Sequence, residues 1–359
     1  MKRLNNLYDV IDKPFISKQI DNAVRKKKLR NEVLDVLQNK KAYTDEIYSM
    51  LCTLEFELTP LRAKRIYNPH SGKQRDLLIP QFYPDQIIHW CYVQMMMPLF
   101  MRGMYRHSYS GIPGRGMMAA QDIVRHWIDT DYYNTQYVAE LDVRKFYDNV
   151  DQEILYDLIS HKCKDKRALQ LSQKVITHAP KGLPLGNYTS PWLANFYLQG
   201  IDHLIKEELH IPHMVRYMDN YVMFSHSKEQ LHEAVDVVEN VSQQKLNITY
   251  GANKQVYPLE PRGLDFLGLV FHRNYTLLRA RNFLALTRQA RELIHRIDTN
   301  QPVSLHSALS CNCRIAFCRR ANHHNILTKY MPTEYEMELR KIISKQMRKE
   351  MLLQIGGAI

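Results

Sequence analysis

Apolar positions along this chain follow two periods, one near 3.6 and one near 2. Together they divide the chain into elements before any chemistry is considered. Residues 16 to 40 carry Ile20, Val24, Val33, Leu34 and Leu37 at helical spacing, with a basic run from Arg25 to Arg30 on the other side. A second helix is predicted over residues 44 to 53. Residues 58 to 80 read as a hairpin, with β-like runs at Ile66-Tyr67 and Leu77-Leu78-Ile79 around a turn containing Pro69, Ser71 and Gly72. Residues 84 to 102 are apolar all round, the pattern of a buried helix, and the run Met95-Met96-Met97 reads as core filling. Gly111, Gly114 and Gly116 precede a helix starting near Met117. Their order and context match neither a P-loop nor a dinucleotide-binding turn. Residues 137 to 143 read as a buried strand. A helix over 153 to 163 follows, and Asp151 is well placed to cap it. A Gly/Pro/Asn loop from residue 181 feeds a helix with Leu193, Phe196, Tyr197, Leu198, Ile201, Leu204 and Ile205 on its apolar side. Residues 213 to 224 form an apolar hairpin pattern. A further hairpin at 269 to 281 precedes helical patterns at 283 to 298, 303 to 320 and 332 to 353.

Two acidic positions break these apolar runs where a core element ends. Asp142 closes the strand that starts at residue 137, and Asp219 with Asn220 forms the tip of the hairpin. Aspartate and asparagine tolerate the backbone of a tight turn. A carboxylate at the end of a core strand is costly unless it is paired or binds a cation. If the two strands are neighbours, the carboxylates converge, and hard oxygen ligands of this kind suit Mg²⁺. Two such ions about 4 Å apart would activate a 3′-hydroxyl and stabilise a leaving pyrophosphate.

Composition adds a partner class. The 359 residues, 45% of them hydrophobic, suffice for a large core and two or three subdomains. The formal net charge is +12 and the isoelectric point near 9.3, a balance that attracts polyanions, nucleic acid above all. Arg62, Lys64, Arg65, Lys73 and Arg75 decorate the first hairpin, where guanidinium forks suit phosphate oxygens. The six cysteines do not form a disulfide framework, no apolar signal segment opens the chain, and no run approaches the roughly twenty residues that span a bilayer. A cytoplasmic setting without a membrane partner is the expectation. Cys311, Cys313, Cys318, His323 and His324 lack a regular zinc spacing and lie in a helical pattern, so they are expected to pack in a core.

The order of these features is a basic hairpin, a strand ending in aspartate with an aromatic pair after it, a Gly loop with its helix, the YMDN hairpin, and then GLDFLG. It resembles the reverse transcriptase motif series, most closely that of bacterial enzymes of the group II intron, retron and diversity-generating retroelement lineage, over residues 58 to 282. The resemblance implies an α+β (mixed α/β) right-hand polymerase. Fingers and an N-terminal helical extension are expected over 1–135, a ferredoxin-like palm around an antiparallel sheet over 136–272, and a small helical thumb over 273–359. The roughly seventy residues in the thumb region leave no room for an RNase H or endonuclease domain, so none is expected.

By resemblance, Asp142 and Asp219 are the metal-binding catalytic aspartates, joined by the carbonyl of Val143 and by Asn220. Tyr147, with Phe146 beside it, is the gate against a ribonucleotide 2′-hydroxyl. Arg75 and Lys73 hold the incoming triphosphate, and Lys254 lies near the pyrophosphate. Leu185 and Gly186 open the loop that packs on the nascent base pair, which runs through Ser190 to Pro191. Gly263, Leu264 and Gly268 fall in the primer grip. Arg115 lies in a template-facing loop, and Arg62 and Arg65 contact nucleic acid. The implied cofactor is Mg²⁺, two ions, with Mn²⁺ as the alternative. The implied partners are an RNA template, ordinary or a dedicated non-coding RNA, a DNA primer or product, and dNTPs, with an accessory protein or a second copy as further candidates.

Three positions depart from the family pattern. Asn220 replaces the second aspartate of YxDD, and Leu185 stands where many members carry glutamine. Pro191 follows Ser190 where diversity-generating enzymes carry glutamine. The resemblance therefore leaves three readings open: a retroelement polymerase, a defence-associated polymerase that makes DNA from its own bound RNA or without an ordinary template, and a polymerase-impaired nucleic-acid scaffold.

Overall fold

The computed structural model describes residues 3–25, 27, 30–68 and 73–356. In chain order these form α1 (Lys13–Val24), α2 (Asn31–Gln38), α3 (Lys40–Thr53), β1 (Arg62–Asn68), β2 (Lys73–Ile79), α4 (Ile87–Met101), β3 (Ser108–Tyr109), α5 (Met117–Thr130) and β4 (Tyr137–Asp142). After these come α6 (Phe146–Asn149), α7 (Gln152–Lys162), α8 (Lys166–Ile176), α9 (Ser190–His203), β5 (His213–Tyr217), β6 (Asn220–Ser225), α10 (Lys228–Leu246) and β7 (Gln255–Pro258). The remainder is α11 (Leu259–Arg262), β8 (Leu264–Phe266), β9 (Leu269–Phe271), β10 (Thr276–Leu278), α12 (Ala280–Asp298), α13 (Leu305–Cys318), α14 (His324–Tyr330) and α15 (Thr333–Gly356).

Two compact units result. One comprises Met1–Asp122 with Tyr137–Tyr257, the other Ile123–Gln136 with Pro258–Ile359. The first contains the five-stranded sheet, in the order β3-β5-β6-β4-β7. From β4 to β7 the chain runs strand, helices, strand, strand, helix, strand, with spatial order β5-β6-β4-β7, which is the ferredoxin-like arrangement. β4 and β5 both pair antiparallel with β6, and β3 extends the sheet as a short parallel edge against β5. The sheet is legible as such because β4 to β6 carry apolar residues on both faces. Val138, Ala139, Leu141, Met214, Val215, Val222, Met223 and Phe224 are all buried.

The helix read from residues 84 to 102 is α4. Ile87, Ile88, Val93, Met95, Met96, Leu99 and Phe100 are buried, so the helix passes through the core rather than lying on it. α9 is likewise buried at Ser190 and from Trp192 to Gln199. Side chains cap the helix starts as their sequences suggest. Asp151 accepts from the amides of Glu153 and Ile154, and Asp165 from those of Arg167 and Ala168.

The single helix read over residues 16 to 40 is two. α1 stops at Val24 and α2 starts at Asn31, with Arg25 already extended at φ −55, ψ 126. The intervening basic run offers little apolar surface for a helix to bury, and like charges at i and i+4 repel. Residues 69–72, the turn of the first hairpin, lie outside the described residues.

The second unit has its own sheet, β10-β9-β8, antiparallel throughout, followed by α12 to α15. Cys311 and Cys318 are buried on α13 while Cys313 is exposed. Among the described residues no three His, Cys, Asp or Glu side chains are grouped to hold a metal, and no helix is long and apolar enough to cross a membrane.

Candidate active site

The central strands of the first unit end together at an acidic turn. β4 lies against β6 with Asp142 opposite Asn220, and β5 returns along the other edge of β6 with Tyr217 opposite Asn220. Met218 and Asp219 make the two-residue connection. The Val143 N–H donates to the Asp219 carbonyl at 3.3 Å, which brings the strand carrying Asp142 directly against the turn. On the far side of Val143, Arg144 N–H donates to the Thr249 carbonyl at 2.8 Å and Gly251 N–H to that of Asp142 at 2.8 Å. Val143 is thereby a non-hydrogen-bonded pair with Tyr250, and its N–H and carbonyl both face the turn.

The residues at this end differ in exposure. Asp142 and Asn220 are exposed and Asp219 is half-buried. The strand before Asp142 is buried as the sequence predicts, while Asp142 itself is exposed. The left-handed residue of the turn is not the Asp-Asn pair. It is Met218, at φ 56. Methionine gains nothing by itself from that conformation. The surroundings hold it there: Met218 N–H donates to the Tyr109 carbonyl at 3.2 Å, and the Arg216 guanidinium donates to the Met218 carbonyl at 2.8 Å.

Tyr147, on the short helix α6, is half-buried, and its hydroxyl donates to the Met218 Sδ at 3.5 Å. Burial, and secondarily the negative charge of Asp219, push its pKa well above the usual phenol value, so it stays neutral. Phe146, expected beside the nucleotide, is instead buried in the core and packs edge-on against Tyr147 at 5.7 Å. The Gly loop wraps this helix. Leu183 N–H donates to the Tyr147 carbonyl at 2.7 Å, and Gly182, at φ 59, lies so close that a Cβ there would sit 2.3 Å from the same oxygen. At Gly182 the loop thus makes its close approach to backbone of the chain itself. Ser190, expected to meet nucleic acid, is buried and closes the loop by donating to the Pro184 carbonyl at 2.7 Å.

The basic hairpin is tied to the same loop, because Leu78 N–H of β2 donates to the Leu185 carbonyl at 3.0 Å. Gly186 follows in positive φ and is exposed. Lys73 and Arg75 sit in β2 opposite Asn68 and Ile66, while their side chains lie outside the described residues. Arg65 is engaged across the hairpin with Asp76, through Nε at 2.7 Å and Nη2 at 3.1 Å. Arg62 is exposed and, with Lys64 and Arg30, lines a basic cavity of about 510 Å³. Arg115 donates to the Tyr105 carbonyl at 2.9 Å. A cavity of about 450 Å³ lies among Lys27, the stacked rings of Trp90 and Tyr188, Gly111, Gly186 and Pro191. Lys254 precedes β7 and is paired with Glu239 of α10 at 2.5 Å.

Gly263, Leu264 and Gly268 belong to the second unit. Leu264 is buried in β8, Gly263 lies against the His272 ring, and Gly268 lies against Asn282 and Phe317.

The family model of reverse transcriptase (RNA-dependent DNA polymerase) matches residues 87–271, more than half of the chain. The chain belongs to the reverse transcriptase family. Its members are nucleotidyltransferases, and the mixed α+β fold with its ferredoxin-like sheet is that of a right-hand polymerase. Among named proteins it is similar to the "Uncharacterized 91 kDa protein in cob intron" of Schizosaccharomyces pombe, 28% identical over 179 residues, or 45% of this chain and 21% of that protein. It is also similar to the "Group II intron-encoded protein LtrA" of Lactococcus lactis subsp. cremoris, 26% identical over 161 residues, or 41% of this chain and 25% of that protein. The matches thus span about a quarter or less of these relatives. Among solved structures it is similar to telomerase from Candida albicans with a fragment of telomeric RNA, at 11% identity and TM-score 0.46, covering 66% of this chain and 49% of that one. The apo telomerase from Candida tropicalis gives 11%, TM-score 0.47, and coverage of 67% and 53%.

Reverse transcriptases generally use divalent metal ions, and the donors present at the turn suit one. Two carboxylates with solvent access and a backbone carbonyl facing them make an all-oxygen set, the choice of Mg²⁺ over softer metals. Sequence reasoning missed three contributors to this site: Arg216, Asp202 and Gly182. Arg216 carried a usable signal, since a charged residue in the middle of an apolar strand requires a buried partner.

Proposed function

We propose that this chain is an RNA-directed DNA polymerase that adds dNTPs to a 3′-hydroxyl. The observation that carries this reading is the register of β4 on β6, with the Val143 N–H bonded to the Asp219 carbonyl, which puts Asp142 and Asp219 at one end of adjacent strands.

In this reading Asp142, Asp219 and the Val143 carbonyl hold Mg²⁺, or Mn²⁺ in its place, with Asn220 beside them. The bound ions supply activation of the 3′-hydroxyl and neutralise charge on the leaving pyrophosphate. The protein's own part is placement. Tyr147 presents a neutral ring where a 2′-hydroxyl would have to fit. The backbone at Leu185 and Gly186 flanks the nascent pair, and β2 brings Arg75 and Lys73 to the same loop as the cationic side of a triphosphate site. Lys254 exchanges its exposed pairing with Glu239 for the pyrophosphate, a small cost because such pairs contribute about 0–1 kcal/mol. Arg62 and Arg115 follow the template. Residues 1–135, 136–272 and 273–359 then serve as fingers, palm and thumb.

The similarity to intron-encoded proteins supports a retroelement lineage and an RNA template. A defence-associated polymerase making DNA from its own RNA, with a partner protein or a second copy, shares the same site chemistry. Neighbouring genes separate the two.

The test is primer extension on an RNA template with dNTPs and Mg²⁺ or Mn²⁺, beside Asp219→Ala and Asn220→Asp. Synthesis is expected in the natural chain and in Asn220→Asp. It is expected to vanish in Asp219→Ala while salt-sensitive RNA binding persists. Undiminished synthesis by Asp219→Ala would remove the site assignment. Activity confined to Asn220→Asp would instead make the natural chain a nucleic-acid scaffold.

A further inference from the structure

Arg216 and Asp202 form an ion pair with both side chains fully buried, on β5 and α9. Every donor of the guanidinium is used. Nε and Nη2 take the two Asp202 oxygens at 2.7 and 2.6 Å. Nη2 also donates to the Ser108 hydroxyl oxygen at 3.1 Å, and Nη1 donates to the Asn195 Oδ1 and the Met218 carbonyl, each at 2.8 Å. The Ser108 hydroxyl in turn donates to Asp202 at 2.9 Å, and the Asn195 amide donates to the Ser110 carbonyl at 2.9 Å. Burial alone would lower the Arg216 pKa, but Asp202 and the hydrogen bonds hold it above the usual guanidinium value. The network therefore joins α9, the loop after β3 and the acidic turn through one fixed cation.

Stability alone does not call for such a pair, since buried ion pairs can often be replaced by apolar side chains without loss. Its distinctive act is the bond to Met218, the residue that keeps a left-handed backbone immediately before Asp219. We infer that Arg216, fixed by Asp202, Asn195 and Ser108, is a positioning residue for the reaction. By holding the Met218 carbonyl it keeps the Asp219 carboxylate beside Asp142. The inference rests on the reading of these aspartates as the metal-binding pair. Lysine at position 216 would keep the charge beside Asp202 but lacks the planar fork that reaches both Asp202 and the turn.

The test compares the full chain with Arg216→Lys, with Ser108→Ala, and with Ile20→Ala as a core truncation on α1. Single-nucleotide incorporation on an RNA template with a DNA primer is read at a temperature where all are folded, and Mn²⁺ binding by the protein alone is followed by paramagnetic resonance. Arg216→Lys is expected to lower kcat about tenfold or more with KM for the nucleotide little changed. It is also expected to weaken Mn²⁺ binding about tenfold, as for other groups that orient metal ligands. Ser108→Ala should shift both in the same direction by less, which keeps the inference testable if Arg216→Lys does not fold. Ile20→Ala should lower only the melting temperature. Variants of Arg216 and Ser108 that lose melting temperature alone, as Ile20→Ala does, would overturn the inference. If the natural chain incorporates nothing, the polymerase reading fails. The Mn²⁺ titration then decides alone: binding lost in Asp219→Ala and weakened in Arg216→Lys supports positioning, and equal binding in all overturns it.

Discussion

The Tyr147 side chain meets the Met218 sulfur at its hydroxyl and Phe146 at its edge, and its backbone carbonyl accepts from the Leu183 N–H. A ring so placed would reject a ribose by volume. Tyr147→Ala is expected to lower the preference for dNTPs over rNTPs, measured as the ratio of kcat/KM values, by about 100-fold or more. Tyr147→Phe should keep the preference, since it removes only the long bond to sulfur. Unchanged selectivity in Tyr147→Ala would take the residue out of the gate role. Asp142 and Asp219 stand out in the sequence because polar groups interrupt the apolar strand pattern there, whereas Tyr147 was singled out only by the resemblance to the family motif. The burial of Phe146 and Ser190 was not legible. Which side of a short helix or loop faces the core depends on its packing partners, for Ser190 the Pro184 carbonyl that its hydroxyl meets.

Among the elements, the Gly loop is tightly constrained at one residue. Gly182 combines a left-handed backbone with contact to the Tyr147 carbonyl, and a Cβ there would also meet the Asp148 backbone at 2.9 Å. Backbone atoms cannot step aside as a flexible side chain would. Gly182→Ala should therefore destabilise the fold by about 2–4 kcal/mol in urea denaturation, from strain and overpacking together. A loss below about 0.5 kcal/mol would show that the loop yields. Many elements were legible from periodicity, since α4, β4, the β5–β6 hairpin, α12, α13 and α15 carry apolar patterns, whereas α14 buries no residue and was not expected. The break between α1 and α2 ran against a pattern that looked continuous across the basic run. β3 was not legible either. It is two residues long, and its parallel pairing with β5 is set by the hydrogen bonds of His107, Tyr109 and Arg216 rather than by any run of β-formers.

On the scale of the whole molecule, the core contains a titratable group that sets how the fold responds to acid. His89 lies fully buried on α4. Neither of its ring nitrogens has a hydrogen-bond partner among the described residues, and the His178 ring is 5.5 Å away. Burial, and then the repulsion of His178, lower its pKa to about 3. His107 is lowered to about 4, by burial first and then by Arg106 and other nearby cations. An unfolded histidine titrates near 6.5, so between that value and the folded pKa the unfolded chain binds protons that the folded chain does not. Stability consequently rises with pH through this window and is lost as pH falls through it, by up to about 1.4 kcal/mol per pH unit for His89. The carboxylates with lowered pKa, such as the helix cap Asp151, act in the same direction from about pH 5 downward, in the lower part of the same window. Acid unfolding should therefore begin before carboxylates titrate. His89→Leu replaces an unpaired buried polar ring by an apolar group of similar size. It should leave stability at pH 8 nearly unchanged and reduce the slope between pH 6 and 4.5 by about 1 kcal/mol per unit. Urea midpoints across that range measure both slopes. If the natural chain and His89→Leu lose stability in parallel, His89 is not the neutral buried base that its surroundings make it.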